Sequence, residues 1–166
     1  MIVKKIFIII ILTIFSFNSF ANTPRSTGKY KNWESFVAET EKGKICFAQT
    51  VPTKRAPGAI KRGQSKLFVT FRPGENIKDE VSVTSGHDYK TSSVTASSGK
   101  RRYSFFSQKD FAWLLDDQEE KKFIQLMKKA TDIIVKARTT KGAETTDHYS
   151  MMGFTKAYNT AKKACS

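Results

Sequence analysis

Cysteine, histidine and tryptophan are each present only twice in 166 residues, and acidic side chains are about half as frequent as basic ones, 15 against 29. The wide spacing of Cys46 and Cys165 excludes a C-x-x-C redox pair and a cysteine zinc site. No G-x-S-x-G elbow, H-E-x-x-H helix or G-x-x-x-x-G-K-[ST] phosphate loop occurs, so the common contiguous catalytic signatures are missing. Beyond residue 21 the longest purely apolar run is Phe111 to Leu115, far below the length of a membrane helix. No strand–helix–strand rhythm appears, and no internal repeat.

The first 21 residues have the build of a secretory signal. Lys4 and Lys5 precede the apolar run Ile6 to Phe17, which only Thr13 and Ser16 interrupt. Ser19-Phe20-Ala21 then sets small residues at the two positions a signal peptidase reads, so cleavage is expected after Ala21. An uncleaved N-terminal anchor is the alternative. Residues 22–32 are polar, with Pro24 and Gly28, and read as a flexible leader. Residues 33–166 read as one domain, large enough to bury a core.

Loss of Lys4 and Lys5 with the leader takes the formal charge from +14 to +12. Such a surplus draws a protein toward anionic surfaces without saying which one. Two cysteines in an exported chain make one disulfide the expectation, Cys46 to Cys165, against two free thiols or an intermolecular link.

From Trp33 the chain reads as short strands. Ile45, Phe47 and Gln49 alternate with Cys46, Ala48 and Thr50. Pro52 to Gly63 holds two prolines, two glycines and Lys54, Arg55, Lys61 and Arg62, the composition of an exposed loop. Lys66–Phe71 ends in the turn signal Arg72-Pro73-Gly74. Glu80–Thr84 alternates cleanly, and Thr91–Ala96 and Arg101–Phe106 flank a hairpin at Ser97-Ser98-Gly99-Lys100. Phe111–Leu115 continues the pattern. Asp117 with Glu120 then resembles an acidic capping box, and Phe123, Leu126, Met127 and Ala130 follow at helical spacing. Ile133–Arg138 and Thr145–Met151 return to strand, and Thr155–Ala164 reads as a terminal helix that Cys165 pins to the strand of Cys46. About nine strands and two helices predict a mainly β fold: an antiparallel sandwich or partly open barrel with one internal and one C-terminal helix.

Several pieces together resemble the invasion-associated locus B family of exported proteobacterial proteins: Trp33 with Ile45-Cys46-Phe47; Lys61-Arg62-Gly63; Val69-Thr70-Phe71-Arg72-Pro73; Glu80-Val81-Ser82-Val83; Ala112-Trp113-Leu114; Thr145 to Ser150; Gly153-Phe154; and Ala164-Cys165. The likeness runs from Trp33 to Cys165. Phe71, where a polar residue is usual, and Met151-Met152, in place of a leucine-containing pair, depart from the pattern. The resemblance implies export, a cysteine bridge and a β-rich fold, with a family name linked to host-cell invasion and no established reaction.

Individual residues read mostly as structural. His87 and His148 each adjoin an aspartate, Asp88 and Asp147, but neighbours on a strand point to opposite faces. A metal site shared by the two histidines needs the fold to bring them together. Asp116-Asp117 reads as a helix cap, and Trp33 and Trp113 as core. Arg72, ending an apolar strand, is expected to pair with Glu80 or Asp147. The function expected is that of an exported, basic, non-enzymatic envelope or secreted protein, periplasmic or outer-membrane associated. It needs no cofactor and no metal and has no specific nucleic-acid partner. Its candidate contacts for anionic lipid, glycan or a host-surface protein are Lys54, Arg55, Lys61, Arg62, Lys100, Arg101 and Arg102. The alternative is a periplasmic hydrolase whose site combines His87 or His148 with Ser104 or Ser150.

Overall fold

The computed structural model describes residues 23–166, so the expected signal segment lies outside the described residues. Eleven antiparallel strands form one curled, unclosed sheet. They are β1 (Arg25–Tyr30), β2 (Trp33–Thr40), β3 (Gly43–Thr50), β4 (Lys54–Ala56), β5 (Lys66–Arg72), β6 (Ile77–Thr84), β7 (Val94–Ser98), β8 (Arg101–Gln108), β9 (Phe111–Trp113), β10 (Asp132–Arg138) and β11 (Glu144–Ser150). Two helices, α1 (Asp117–Lys129) and α2 (Phe154–Ala164), complete the fold. Across the sheet the order is β1-β2-β3-β5-β6-β9-β8-β7-β10-β11-β4. The mainly β class, the internal helix and the C-terminal helix are as the periodicity predicts.

Two segments differ from expectation. Residues 25–30, read as flexible leader, form β1, which pairs Tyr30 with Trp33 through Arg25 with Val37. The tight Lys31-Asn32 connection turns the chain back on itself, so a polar stretch without apolar periodicity still completes a ladder. The Pro52–Gly63 loop likewise contains β4, paired with Thr146, Asp147 and His148 of β11. As a three-residue edge strand it carries no periodic signal long enough to read.

The sheet folds over so that its inner faces meet. Trp33, Leu67, Val69, Val81 and Val83 of the first half pack with Val94, Ile133, Val135 and Tyr149 of the second, all essentially buried. One end closes through the Trp33 indole, whose Nε1 donates to Ser150 O at 2.9 Å. There Gly153, at φ 95°, lies so close to Tyr30 that a Cβ would sit 1.8 Å from its carbonyl oxygen, so only glycine fits. Helix α2 fills this end with Phe154, Ala157, Tyr158 and Ala161. Cys165 then bonds Cys46 at a Cα–Cα separation of 5.8 Å. The terminal helix is pinned to β3, as expected.

At α1 the cap is Asp116, one residue earlier than the Asp117–Glu120 box. Its carboxylate accepts from the backbone N–H groups of Gln118 and Glu119, both at 2.9 Å. Glu120 is released from capping and turns inward, where its Oε1 accepts from Val81 N at 3.0 Å. No helix among the described residues is long and apolar enough to cross a membrane.

Candidate functional site

Because successive side chains alternate, each strand that sends one set inward sends the other to the outer face, and that face has two unlike halves. On β2, β3, β5, β6 and β9 the register sets Phe36 opposite Phe47, Gln49 opposite Phe68, Phe68 opposite Ser82, and Ser82 opposite Trp113. The rings form a row. Phe36 and Phe47 stack at 5.2 Å, Phe47 meets Phe68 at 6.3 Å, Phe68 meets Phe111 at 6.2 Å, and Phe111 stacks on Trp113 at 5.9 Å. All five are half-buried and open to solvent on one side. Trp113 therefore belongs to this row and not to the core, whereas Trp33 is core as expected. The alternation of β9 placed Trp113 opposite to Ala112, the residue that faces inward.

The second half is polar and basic. One row across it runs Arg102, Ser97, Ile134, His148, Lys54, and the next runs Ser104, Thr95, Lys136, Thr146, Ala56. Arg138 follows opposite Glu144, whose carboxylate lies 3.9 Å from both Lys136 Nζ and the Arg138 guanidinium. Four cations and a group of hydroxyls thus share a surface with few acids. Lys54 and Arg102 lie four strand spacings apart, about 19 Å.

The expected anion contacts do not stay together. In the 100–102 cluster, Arg102 joins the outer face, while Arg101 turns to the other side beside Tyr103, Lys121 and Lys122. Lys100 sits in the exposed hairpin turn with Gly99. Lys61 is exposed in its loop. Lys54 joins the outer face, but Arg55 donates to Gly63 O at 2.6 Å and lies 3.9 Å from Asp147.

Arg62 is a clear correction. Its side chain is only 2% exposed and binds Asp147 with both terminal nitrogens, at 2.5 and 2.7 Å. It also donates to Ser85 O at 3.0 Å and Ser65 Oγ at 3.2 Å. Asp147 belongs to β11, and Ser85 directly follows β6, so Arg62 ties the two halves together between their inner faces. The loop's composition hid this role, since a basic residue among Pro and Gly reads as solvated. Its neighbour Gly63 donates to Gly86 O at 2.8 Å, so close a crossing that a Cβ on Gly86 would meet Gly63 O at 2.3 Å.

With Asp147 taken by Arg62, Arg72 pairs with Glu80 at 2.6 Å, one of its two expected partners. His87 and His148 do not meet. His87 Nε2 is 2.9 Å from Thr145 Oγ1, a residue on the inner side of β11, whereas His148 points outward from the same strand. Among the described residues no three His, Cys, Asp or Glu side chains group to hold a metal ion. Ser104, on β8, is three strand spacings from the His148 strand, about 14 Å, beyond any hydrogen bond. Ser150 Oγ accepts from Met152 N at 3.2 Å.

A groove of about 820 Å³ borders the aromatic row, lined by Asp79, Glu80, Phe106, Trp113, Leu115 and Glu120 among others. Burial raises the Glu120 carboxyl to about 7, and the charges of Glu80, Asp117 and Asp79 push in the same direction against the Val81 N–H. Tyr158 donates to Asp79 Oδ1 at 2.6 Å, and burial lifts that phenol well above its ordinary value.

No family model, curated protein or solved structure matches the chain.

Proposed function

We propose that the chain is an exported, non-enzymatic binding module that holds an anionic envelope or host-surface partner against the polar half of its sheet. The observation that carries this reading is the in-register array of Lys54, Arg102, Lys136 and Arg138 on one open face. Interleaved hydroxyls of Thr95, Ser97, Ser104 and Thr146 are suited to the oxygens of phosphate, sulfate or carboxylate groups. Export is supported by the signal-like first 21 residues and by a disulfide between distant cysteines, a bond that persists in oxidising compartments. The periplasm is the compartment proposed, with the outer membrane or the exterior as further destinations. The resemblance to the invasion-associated locus B family supports the same placement and extends the proposal to a role in host-cell contact.

The array is rigid because it stands on paired strands, so its spacing does not depend on ordering a loop at the moment of binding. Each cation close to an anionic surface contributes about 1 kcal/mol, and salt weakens the attraction. The test is binding to vesicles of anionic and of zwitterionic lipid, and separately to an acidic polysaccharide, at low and high salt. Retention on anionic material that weakens about fivefold for each of the four cations changed to glutamine supports the reading. Preference between vesicle and polysaccharide identifies the source of the anion. Equal binding to zwitterionic vesicles, or binding indifferent to salt and to the substitutions, overturns it.

A further inference from the structure

We propose that the aromatic half of the outer face is a self-association surface, on which two copies of the chain meet around a two-fold axis. The charge distribution selects this occupant. Setting aside Lys4 and Lys5, the chain carries a formal charge of +12, so two copies repel over most of their surfaces. The aromatic half is the exception. The charged side chains in register with its rings are Lys29, Glu34, Lys66, Arg72 and Glu80, which leave a single net positive charge. Arg72 and Glu80 neutralise each other directly at 2.6 Å. Among the uncharged side chains Gln49, Thr70 and Ser82, the face carries Phe36, Phe47, Phe68, Phe111 and Trp113, with Phe106, 52% exposed, at the rim opposite Trp113.

A two-fold contact is self-complementary, so one apolar patch of low charge is sufficient for both partners. The rings lie in a row across adjacent strands, and a crossed pair of such rows buries their edges without bringing the basic halves together. Five strands at about 4.8 Å, with two or three outward residues on each, cover roughly 300 Å² in projection. Two such faces bury about 600 Å² in total, less than a stable specific interface, so the dimer is a transient one that forms in the micromolar range or weaker. Paired in this way, the two polar halves face outward on opposite sides.

Salt separates this contact from anion binding. Screening relieves the repulsion between two cationic copies and strengthens apolar burial, so association rises with salt while polyanion binding falls. The experiment is sedimentation velocity of the oxidised mature domain over a wide concentration range at low and high salt. The expected result is an average mass that climbs toward twice the monomer with concentration, more readily at high salt. Phe68→Lys, at the centre of the row, weakens association at least tenfold. Gln49→Lys replaces a polar side chain beside Phe68 and sets like charges against each other in the pair. It gives the same loss even where Phe68→Lys lowers the melting temperature. Lys54→Gln, on the polar half, leaves association unchanged. A monomer at every concentration in both salts overturns the proposal, as does a dimer that survives both substitutions or one that Lys54→Gln dissociates.

Discussion

The two halves of the sheet share one hydrogen-bonded ladder and one core, yet their outer faces have opposite chemistry. The first presents stacked rings whose charged neighbours leave a single positive charge. The second presents Lys54, Arg102, Lys136 and Arg138 among hydroxyls. The change happens within a single strand. β8 pairs with β7 through Arg101 to Phe105 and with β9 through Phe106 to Gln108. Its outward residues accordingly run Arg102, Ser104, then Phe106. The inner face hardly registers this boundary, since Tyr103 and Phe105 both pack on Phe123 of α1. Folding constrains the inward set, so the contrast outside is not a demand of the core. The halves are also anchored differently: the aromatic half by α2 and the disulfide, the polar half by Arg62.

The largest break in this comparison is loss of the disulfide. Cys46 and Cys165 are 119 positions apart, so the bridge closes a long loop of the unfolded chain. Chain-entropy arguments give about 4–5 kcal/mol for a loop of that size. Cys46→Ala with Cys165→Ala is expected to lower stability by about that amount in denaturant titration. Hydrogen exchange localises the damage. Amides of α2 and β3 lose protection first, because an 11-residue helix has little stability apart from its packing. Amides of β10 and β11 are expected to lose protection only with global unfolding.

Arg62 supplies the mirror experiment. Removing one member of a buried ion pair leaves the other uncompensated, so Arg62→Met is expected to cost about 3–5 kcal/mol. The first protection lost is now in β4 and β11, on the polar side, while α2 keeps its own. The double change Arg62→Met with Asp147→Leu sharpens the point. Both charges are then gone, and much of the stability is expected to return, since a buried pair owes most of its apparent strength to the cost of breaking it. If Arg62→Met disturbs α2 and β4 equally, the halves are not separately anchored.

Strand and helix positions were legible wherever apolar residues alternated or recurred at helical spacing, as in β3, β6, α1 and α2. The disulfide followed from a count of two. The outer faces were harder to read. Phe36, Phe47, Phe68, Phe111 and Trp113 are scattered over 78 positions of sequence, and only the cross-strand register aligns them. The basic clusters looked like units because they are contiguous. Adjacent strand residues face opposite ways, so Lys54 parted from Arg55, and Arg102 from Arg101. Arg62 was unreadable for a related reason: its partner is 85 positions away, and composition marked its loop as solvated. β1 and β4 are edge strands whose pairing comes from a tight turn and a neighbour's ladder, with no periodicity of their own.

The smallest expected effect concerns Glu120, at the rim of the aromatic half. Only 7% exposed, it accepts the Val81 N–H from a helix that packs against β6, and its carboxyl is raised to about 7 from an ordinary 4.5. The folded protein therefore holds a proton that the unfolded chain has released, and the sign follows. Between about pH 4.5 and 7 the contribution of this group to stability falls as pH rises, and above 7 the full cost of a buried carboxylate is present. Glu120→Gln keeps an oxygen for the Val81 N–H and removes the charge. At pH 8 it is expected to stabilise the fold by about 1–3 kcal/mol, and at pH 4.5 by almost nothing. Denaturant midpoints of the two proteins across that range supply the check. Parallel curves, with no convergence toward acid, mean that Glu120 is held by its hydrogen bond alone and that burial at this rim does not perturb its ionisation.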